Sequence, residues 1–491
     1  MAKQLGLWLG PLGCALLVAL AEFGDLGATG PLPGAVKVAG VAFLMAAWWV
    51  TEAVPIPATS LLPLVLFPLL GIAPVKAVTG AYADRFILLL MGGFMIALAL
   101  ERWNLHRRIA LSVILRVGTQ PHRLVLGFMI SGAVLSMWIS NTATTLMMLP
   151  IALAVLQRME ERAPGDPRLK PMGIGLLLGI AYACNVGGLG TPIGTPPNMI
   201  YLGQLASVVP ENEVPSFLDW SLMALPIVVV MLGVIWWILT KGVNRIDPDL
   251  PVGDKEGIQA ELKGLGRMTT PEFRVMVVFG LTALLWVLRR KITIGSVSFP
   301  GWAGPLGLAG RVDDSTVAVG AAIIMFVIPA GGATARAKER LLDWPTAVKI
   351  PWGLLLLFGG GLALAAGFKV TGLSSWIGHQ LAGLASLPLW AMIGVAALSV
   401  TFLTEITSNT ATTTILMPVL AAVCKEQGIN PSDLMLPAAL SASCAFMLPV
   451  ATAPNAIVFG SGRVTMGDML KNGLAINLAG VVVITLWLTI Y

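Results

Sequence analysis

The chain has 491 residues, 11% of them charged and 56% hydrophobic, and carries a net charge of +6. A soluble domain is about one-quarter charged, so this composition excludes ordinary soluble folds, and the length leaves room for roughly ten to twelve bilayer-spanning helices. Four cysteines without CxxC spacing and three scattered histidines suggest neither a disulfide framework nor a metal cluster. The small basic excess suits a membrane protein with basic loops and gives no sign of nucleic-acid binding.

In chain order, apolar runs predict spans at 5–23 (read as an uncleaved first span), 35–54, 58–72, 84–101, 172–190, 217–240, 274–288, 315–330, 350–367, 432–449 and 471–490. Backbone in hydrocarbon must satisfy its own hydrogen bonds, so the predicted fold class is an all-α polytopic membrane protein of about eleven spans. Two further apolar stretches, 121–158 and 387–423, are too long for one span, and each carries SNTAT at its centre. Both read as re-entrant hairpins with polar tips, tolerated at depth only where protein or water covers the backbone.

Basic residues orient the chain. With the N-terminus in the cytoplasm and each hairpin returning to its own side, most of the 31 Lys and Arg fall inside, including Arg102–Arg123, Arg158–Lys170, Lys241–Arg274 and Arg336–Lys349. The C-terminus then lies outside. The Arg289–Arg290–Lys291 triplet also lies outside and has no explanation at the level of sequence. The organisation is an N-terminal span in 1–34, a first repeat in 35–240, a charged cytoplasmic linker in 241–273 and a second repeat in 274–491. The first repeat contains hairpin 121–158 and a broken helix at 172–208; the second contains hairpin 387–423 and a broken helix at 432–461.

The repeat is the strongest signal. SMWISNTATTLMMLP (136–150) and TEITSNTATTTILMP (404–418) share seven of 15 positions at an offset of 268. Downstream, GTPIGTPPN (190–198) matches MLPVATAPN (447–455) at Pro192/Pro449, Thr195/Thr452, Pro197/Pro454 and Asn198/Asn455. LLLMGGF (88–94) pairs loosely with LLLFGGG (355–361). Each half has the same order, and the hairpins enter from opposite sides, so the halves are inverted repeats.

Polar runs at membrane depth are rarely idle, because an unpaired group there costs several kcal/mol. Pro196 and Pro197 break the helix, and Gly194 and Ala451 let a ligand approach the backbone. Each restarted half-helix, expected at about Asn198 and Asn455, points its N-terminus at the midplane, where free N–H groups and the helix dipole favour a carboxylate. The oxygens of Ser136, Ser140, Asn141, Thr404, Thr407 and Asn409 are hard neutral ligands of the kind an alkali cation takes. Elsewhere, Glu52 reads as the anchor of a helix break and Trp138 as packing. His379 reads as part of a surface helix, and the glycines at 92–93 and 359–361 as close helix contacts. Glu405 stays open between a structural role and tuning of a cation site.

These motifs, from TEAVPIP (51–57) through both SNT hairpins to ATAPN (451–455), resemble the divalent anion/sodium symporter family of di- and tricarboxylate and sulfate transporters. The resemblance implies an eleven-span homodimer in the plasma membrane, with a fixed scaffold and a transport domain moving elevator-fashion. It places one sodium on Ser136, Ser140, Asn141 and Gly194, and a second on Thr404, Thr407, Asn409 and Ala451. It brings Asn141, Thr142, Thr195, Asn409, Thr410 and Thr452 to the substrate carboxylates, with Pro196 and Ala453 beside them. Ala453 stands where the pattern often has proline, a departure at the second helix restart. No Lys, Arg or His falls in either tip, favouring sodium as the counter-charge, and the absence of a large inserted domain favours a dicarboxylate over sulfate. The expected activity is sodium-coupled uptake of C4-dicarboxylates such as succinate, malate or fumarate, with no organic cofactor. A sodium-independent exchanger and a carrier of another divalent oxyanion such as sulfate are the alternatives. No nucleophile–base pair or HExxH motif points to an enzyme.

Overall fold

A computed structural model describes residues 2–24, 31–250, 255–294, 297–331, 339–380 and 387–491. Arg336 and Lys338, counted among the inner basic residues, lie outside the described residues. The fold is almost entirely helical; a short antiparallel ribbon, Ile292–Ile294 with Val297–Phe299, is the exception among the described residues. Among the described residues, nine helices are long and apolar enough to cross a bilayer. Three expected spans are shorter. The 58–72 run divides into Ile56–Thr59 and Leu62–Leu69, with prolines at 57, 63 and 68, and the 315–330 run is the 14-residue helix Asp314–Val327. The 432–449 run is helical only over Pro431–Ala442 and then unwinds.

Helices Ala2–Phe23 and Pro33–Thr51 pack as an antiparallel pair, pinned at one end by Trp48 Nε1 donating to the Gly6 carbonyl (3.1 Å) and at the other by a Lys37–Glu22 ion pair. Glu52 sits at the break that follows, in a left-handed conformation (φ 48°) and 3.8 Å from Lys3. The two halves then repeat one order: a wall helix, a helical hairpin, a broken helix and a long closing helix. The wall helices are Arg85–Arg102 and Trp352–Thr371, and the closing helices are Phe217–Thr240 and Met466–Ile490. The first hairpin consists of Pro121–Ser136 and Asn141–Arg162, the second of Leu389–Thr404 and Asn409–Gln427. The broken helices are Leu169–Gly187 with Pro196–Leu205, and Pro431–Ala442 with Ala453–Phe459.

Leu222, Val229, Leu281, Leu478 and Leu486 are exposed on the outside of long helices. A surface of this kind suits lipid, not water. The inside is filled by large side chains. Trp138, from the first hairpin turn, stacks on Phe217 (5.8 Å) and meets Phe279 edge-on (4.9 Å), so the tip is braced by a dry aromatic cluster that also holds Trp286. Close backbone approach is needed at the second wall helix: a Cβ on Gly360 would lie 2.5 Å from the Ser60 carbonyl oxygen. The linker is less exposed than its charge suggests. Within it, helix Lys255–Gly264 buries Ile258, and Arg107–Glu261 and Arg108–Glu272 ion pairs dock this region on helix Leu105–Val117.

The Arg289–Arg290–Lys291 triplet now has an account. Arg289 is buried and its Nε meets Asp314 Oδ1 at 2.5 Å, while Arg290 Nη1 donates to the Val214 carbonyl at 3.1 Å. These bonds join the ends of helices Phe217–Thr240, Thr270–Val287 and Asp314–Val327.

Candidate functional site

Both hairpin tips are built alike. Ser140 caps helix Asn141–Arg162 by accepting from Ala143 N (3.1 Å), and Ser408 caps helix Asn409–Gln427 by accepting from Ala411 N (3.5 Å). Beneath the first tip, Ser136 Oγ sits between Asn141 Oδ1 and the Cys184 carbonyl, 2.7 Å from the latter. Beneath the second, Thr404 Oγ1 lies 2.6 Å from Asn409 Oδ1 and 3.2 Å from the Ala442 carbonyl. A hydroxyl has one proton and here meets two acceptors, so each tip gathers three oxygens with a proton too few. Such a surplus of oxygen lone pairs is what a small cation neutralises.

The helix breaks repeat this correspondence at an offset of 257. Asn198 Nδ2 donates to the carbonyls of Gly188 (2.9 Å) and Thr191 (2.8 Å); Asn455 Nδ2 donates to those of Ala445 (3.1 Å) and Leu448 (3.0 Å). Each amide clamps the unwound segment before it. The restarts fall at Pro196 and Ala453, with Thr195 and Thr452 as N-caps, two residues ahead of the expected positions. Ala453 begins a helix without proline because Thr452 Oγ1 accepts from Asn455 N (3.2 Å) and Pro454 occupies the second position. Gly194 is required: a Cβ there would lie 2.5 Å from the Gly188 carbonyl oxygen. The space beside Gly188 is bounded by Asn141 Oδ1 and the Gly194 carbonyl oxygen, 3.0 and 3.1 Å from where a Cβ would stand.

The two tips and two breaks meet in one cavity of about 640 Å³. Ser140, Asn141, Thr142, Gly194, Thr195 and Pro196 line it from the first half, and Asn409, Thr410, Ala451, Thr452 and Ala453 from the second. Four helix N-termini, at Asn141, Pro196, Asn409 and Ala453, are thereby gathered around it, each with positive dipole potential; Pro196 and Pro197 have no N–H to offer, so backbone donors come chiefly from the starts at Asn141 and Asn409. Ser136 and Thr404 are fully buried behind the tips and reach the cavity through Asn141 and Asn409. Thr407 does not line it; its hydroxyl donates to the Leu403 carbonyl (2.7 Å) and lies 2.7 Å from Thr412 Oγ1.

Some lining residues, Asn185, Lys349 and Glu101, were not singled out for the site at the level of sequence, and the role of Glu405 was left open there. Asn185 lines the cavity and donates to Thr452 Oγ1 (3.0 Å) across the two halves; a lone amide within an apolar span was the available signal. Glu405 is buried and accepts from the backbone N–H of Phe446 (2.8 Å), Met447 (2.9 Å) and Leu448 (3.0 Å) and from Asn477 Nδ2 (2.7 Å). Its carboxylate is consumed in holding the second unwound segment, which decides its role as structural. Lys349 and Glu101 also line the cavity, beside the ends of the two wall helices. The segment bearing Lys349 is drawn there by an Arg102–Asp343 ion pair (2.6 Å) and by Trp103 Nε1 donating to the Leu341 carbonyl (2.8 Å).

The model of the sodium:sulfate symporter transmembrane region matches residues 30–491. The chain belongs to the sodium:sulfate symporter family. Like other members of this transporter family it is a multi-pass membrane protein and not an enzyme. Among its relatives, the sodium-dependent dicarboxylate transporter SdcS of Staphylococcus saprophyticus is 41% identical over 491 residues, which is 99% of this chain and 91% of that protein. The protein of the same name from Staphylococcus aureus is 40% identical over 487 residues, covering 99% and 90%. At the level of fold, the YdaH transporter of Alcanivorax borkumensis superposes with a TM-score of 0.59 at 15% identity, covering 100% of this chain and 98% of that one. Neisseria gonorrhoeae MtrF gives 0.58 at 14%, covering 96% and 97%.

Proposed function

We propose that the protein is a sodium-coupled symporter that brings C4-dicarboxylates such as succinate, malate or fumarate into the cell. The observation that carries this reading is the convergence of two equivalent polar tips on one cavity of about 640 Å³. One sodium is assigned to Ser136, Ser140, Asn141 and Gly194, and a second to Thr404, Asn409 and Ala451, with Thr407, whose hydroxyl is bonded to the Leu403 carbonyl, contributing through its backbone carbonyl. Asn141, Thr142, Asn409, Thr410, Thr195 and Thr452 receive the carboxylates, with Pro196 and Ala453 completing the walls. Each bound cation makes the dianion's seat more favourable, and the reverse follows by linkage. The dicarboxylate named for the Staphylococcus relatives supports this choice of substrate over sulfate.

In this reading the two halves are inverted repeats, the N-terminus is cytoplasmic and the C-terminus outside, and the protein sits in the plasma membrane as a homodimer. The hairpins and broken helices form a transport domain that moves elevator-fashion against the scaffold. The cavity reaches the end of the wall helices where Arg102 and Lys349 lie, which the positive-inside rule makes cytoplasmic. Lys349 is the observation that favours a second reading, a sodium-independent exchanger in which a basic side chain balances the anion. One experiment separates them. Uptake of labelled succinate by proteoliposomes is expected to collapse when choline replaces sodium; undiminished uptake, or dependence on internal dicarboxylate alone, selects the exchanger.

A further inference from the structure

A second cavity, of about 660 Å³, lies at the opposite end of the same wall helix. Helix Trp352–Thr371 contributes Leu354 to the site cavity and Leu362, Ala365, Ala366 and Lys369 to the second one. Eight residues separate Leu354 from Leu362, about 12 Å along the axis. Between the two cavities the helix is packed tightly: a Cβ on Gly203, of the first broken helix, would lie 2.6 Å from Phe358, and Gly361 faces Thr414 of the second hairpin just as closely. The second cavity is therefore a cleft distinct from the site cavity, between the wall helix, the first broken helix and the second hairpin.

The chemistry of this cleft is cationic. Lys369 enters from the wall helix and Lys425 from the end of the second hairpin. Lys369 Nζ donates to the Ser207 carbonyl at 3.1 Å, a neutral partner. Among the described residues neither lysine has an acidic partner. Arg85 also lines the cleft, but its charge is taken by Glu211. Gln204, Ser374 and Ser375 add neutral donors. Asp84 is the acidic group on the lining, and its side chain accepts from Phe86 N (2.8 Å) as the cap of helix Arg85–Arg102. Both lysines are exposed on the cleft wall, and the field of their two ammonium groups concentrates anions near it with a strength that falls as salt is added.

We propose that this cleft is an outer capture site for the transported dicarboxylate, held between Lys369 and Lys425 before it reaches the tips. The proposal rests on the transport reading above and extends it to residues that reading does not use. The cleft matches the site cavity in size, is lined by the same wall helix, and carries one lysine on that helix and one on the second hairpin, a cation for each carboxylate. A capture site of this kind raises the local substrate concentration, so its loss appears in KM rather than in kcat.

The test uses succinate uptake by right-side-out membrane vesicles at fixed sodium, comparing the unaltered protein with K369Q, K425Q, the double variant, K369R/K425R and the exposed-charge control K76Q. The double Gln variant is expected to raise KM about fivefold to tenfold at low ionic strength with kcat preserved, and the difference should shrink as choline chloride is added. The double Arg variant should restore KM and K76Q should leave it unchanged. A KM within twofold of the unaltered protein, or a loss indifferent to ionic strength, overturns the proposal. Sodium-dependent uptake by the unaltered protein in the same vesicles reports separately on the transport reading.

Discussion

Asn141 and Asn409 each do two things at once. Each begins a helix, offering free N–H groups to the cavity, and each presents a carboxamide oxygen to a hydroxyl that has too few protons for its neighbours. On the proposed function, removing either amide deletes a cation ligand and a donor to a carboxylate together. A hydrogen bond to a charged group contributes about 1.5–3 kcal/mol, so Asn141→Ala and Asn409→Ala are each expected to lower sodium-driven uptake by roughly tenfold or more. Size-exclusion profiles should stay monodisperse, and near-normal uptake in either variant would place the site elsewhere. Glu405 illustrates the limit of reading residue by residue. An acid one position from a polar tip suggests cation chemistry, yet its four donors are backbone and amide N–H groups from distant segments, three of them invisible in any side-chain pattern.

At the scale of elements, the hairpins and helix breaks were legible because they are written twice. The SNT tips recur at an offset of 268 and the prolines and small residues of the breaks at 257, and the structure returns the recurrence as matching hydrogen bonds: Asn198 on Gly188 and Thr191, Asn455 on Ala445 and Leu448. Helix limits were less legible. The span expected at 432–449 stops at Ala442 because the following N–H groups are claimed by Glu405, a competition between local helix and remote carboxylate. The first break has its own test in Gly194. Its Cβ would strike a carbonyl rather than a side chain, so the loop must shift as a whole. Gly194→Ala is expected to raise the half-saturating sodium concentration several-fold, whereas Gly233→Ala, where nothing lies within 4 Å of the added carbon, should be silent. Equal behaviour of the two variants would remove the first break from the cation site.

At one end of the molecule a buried ion pair adds to the apolar packing. Arg289 and Asp314 are both mostly buried and join two helices of the second half, while Asp314 Oδ2 also accepts from Phe217 N (3.2 Å) in the first. Breaking a buried pair leaves an uncompensated charge, at a cost of about 3–5 kcal/mol, whereas replacing both members with apolar groups costs far less. Asp314→Ala should therefore lower the thermal unfolding midpoint in detergent markedly, and Arg289→Met with Asp314→Leu should recover most of it. If the double variant is no more stable than the single one, the pair is not what joins these helices. At this scale the sequence reading assigned the basic triplet to a side of the membrane but not to a purpose, since its partner lies 25 residues away on another helix. Lys349 was likewise placed among inner basic residues. Only the anchoring of its segment by Arg102 and Trp103 turns it toward the cavity.

Asn185 donates from the first broken helix to Thr452 at the cap of the second. Ordering one half therefore stiffens the other before any ligand spans them, which is a route to cooperative ion binding. A steep dependence of uptake on sodium, with a Hill coefficient above one, is expected for the unaltered protein. In Asn185→Leu the slope should relax toward one as the two loops titrate independently. An unchanged slope would mean that the halves communicate through the substrate alone.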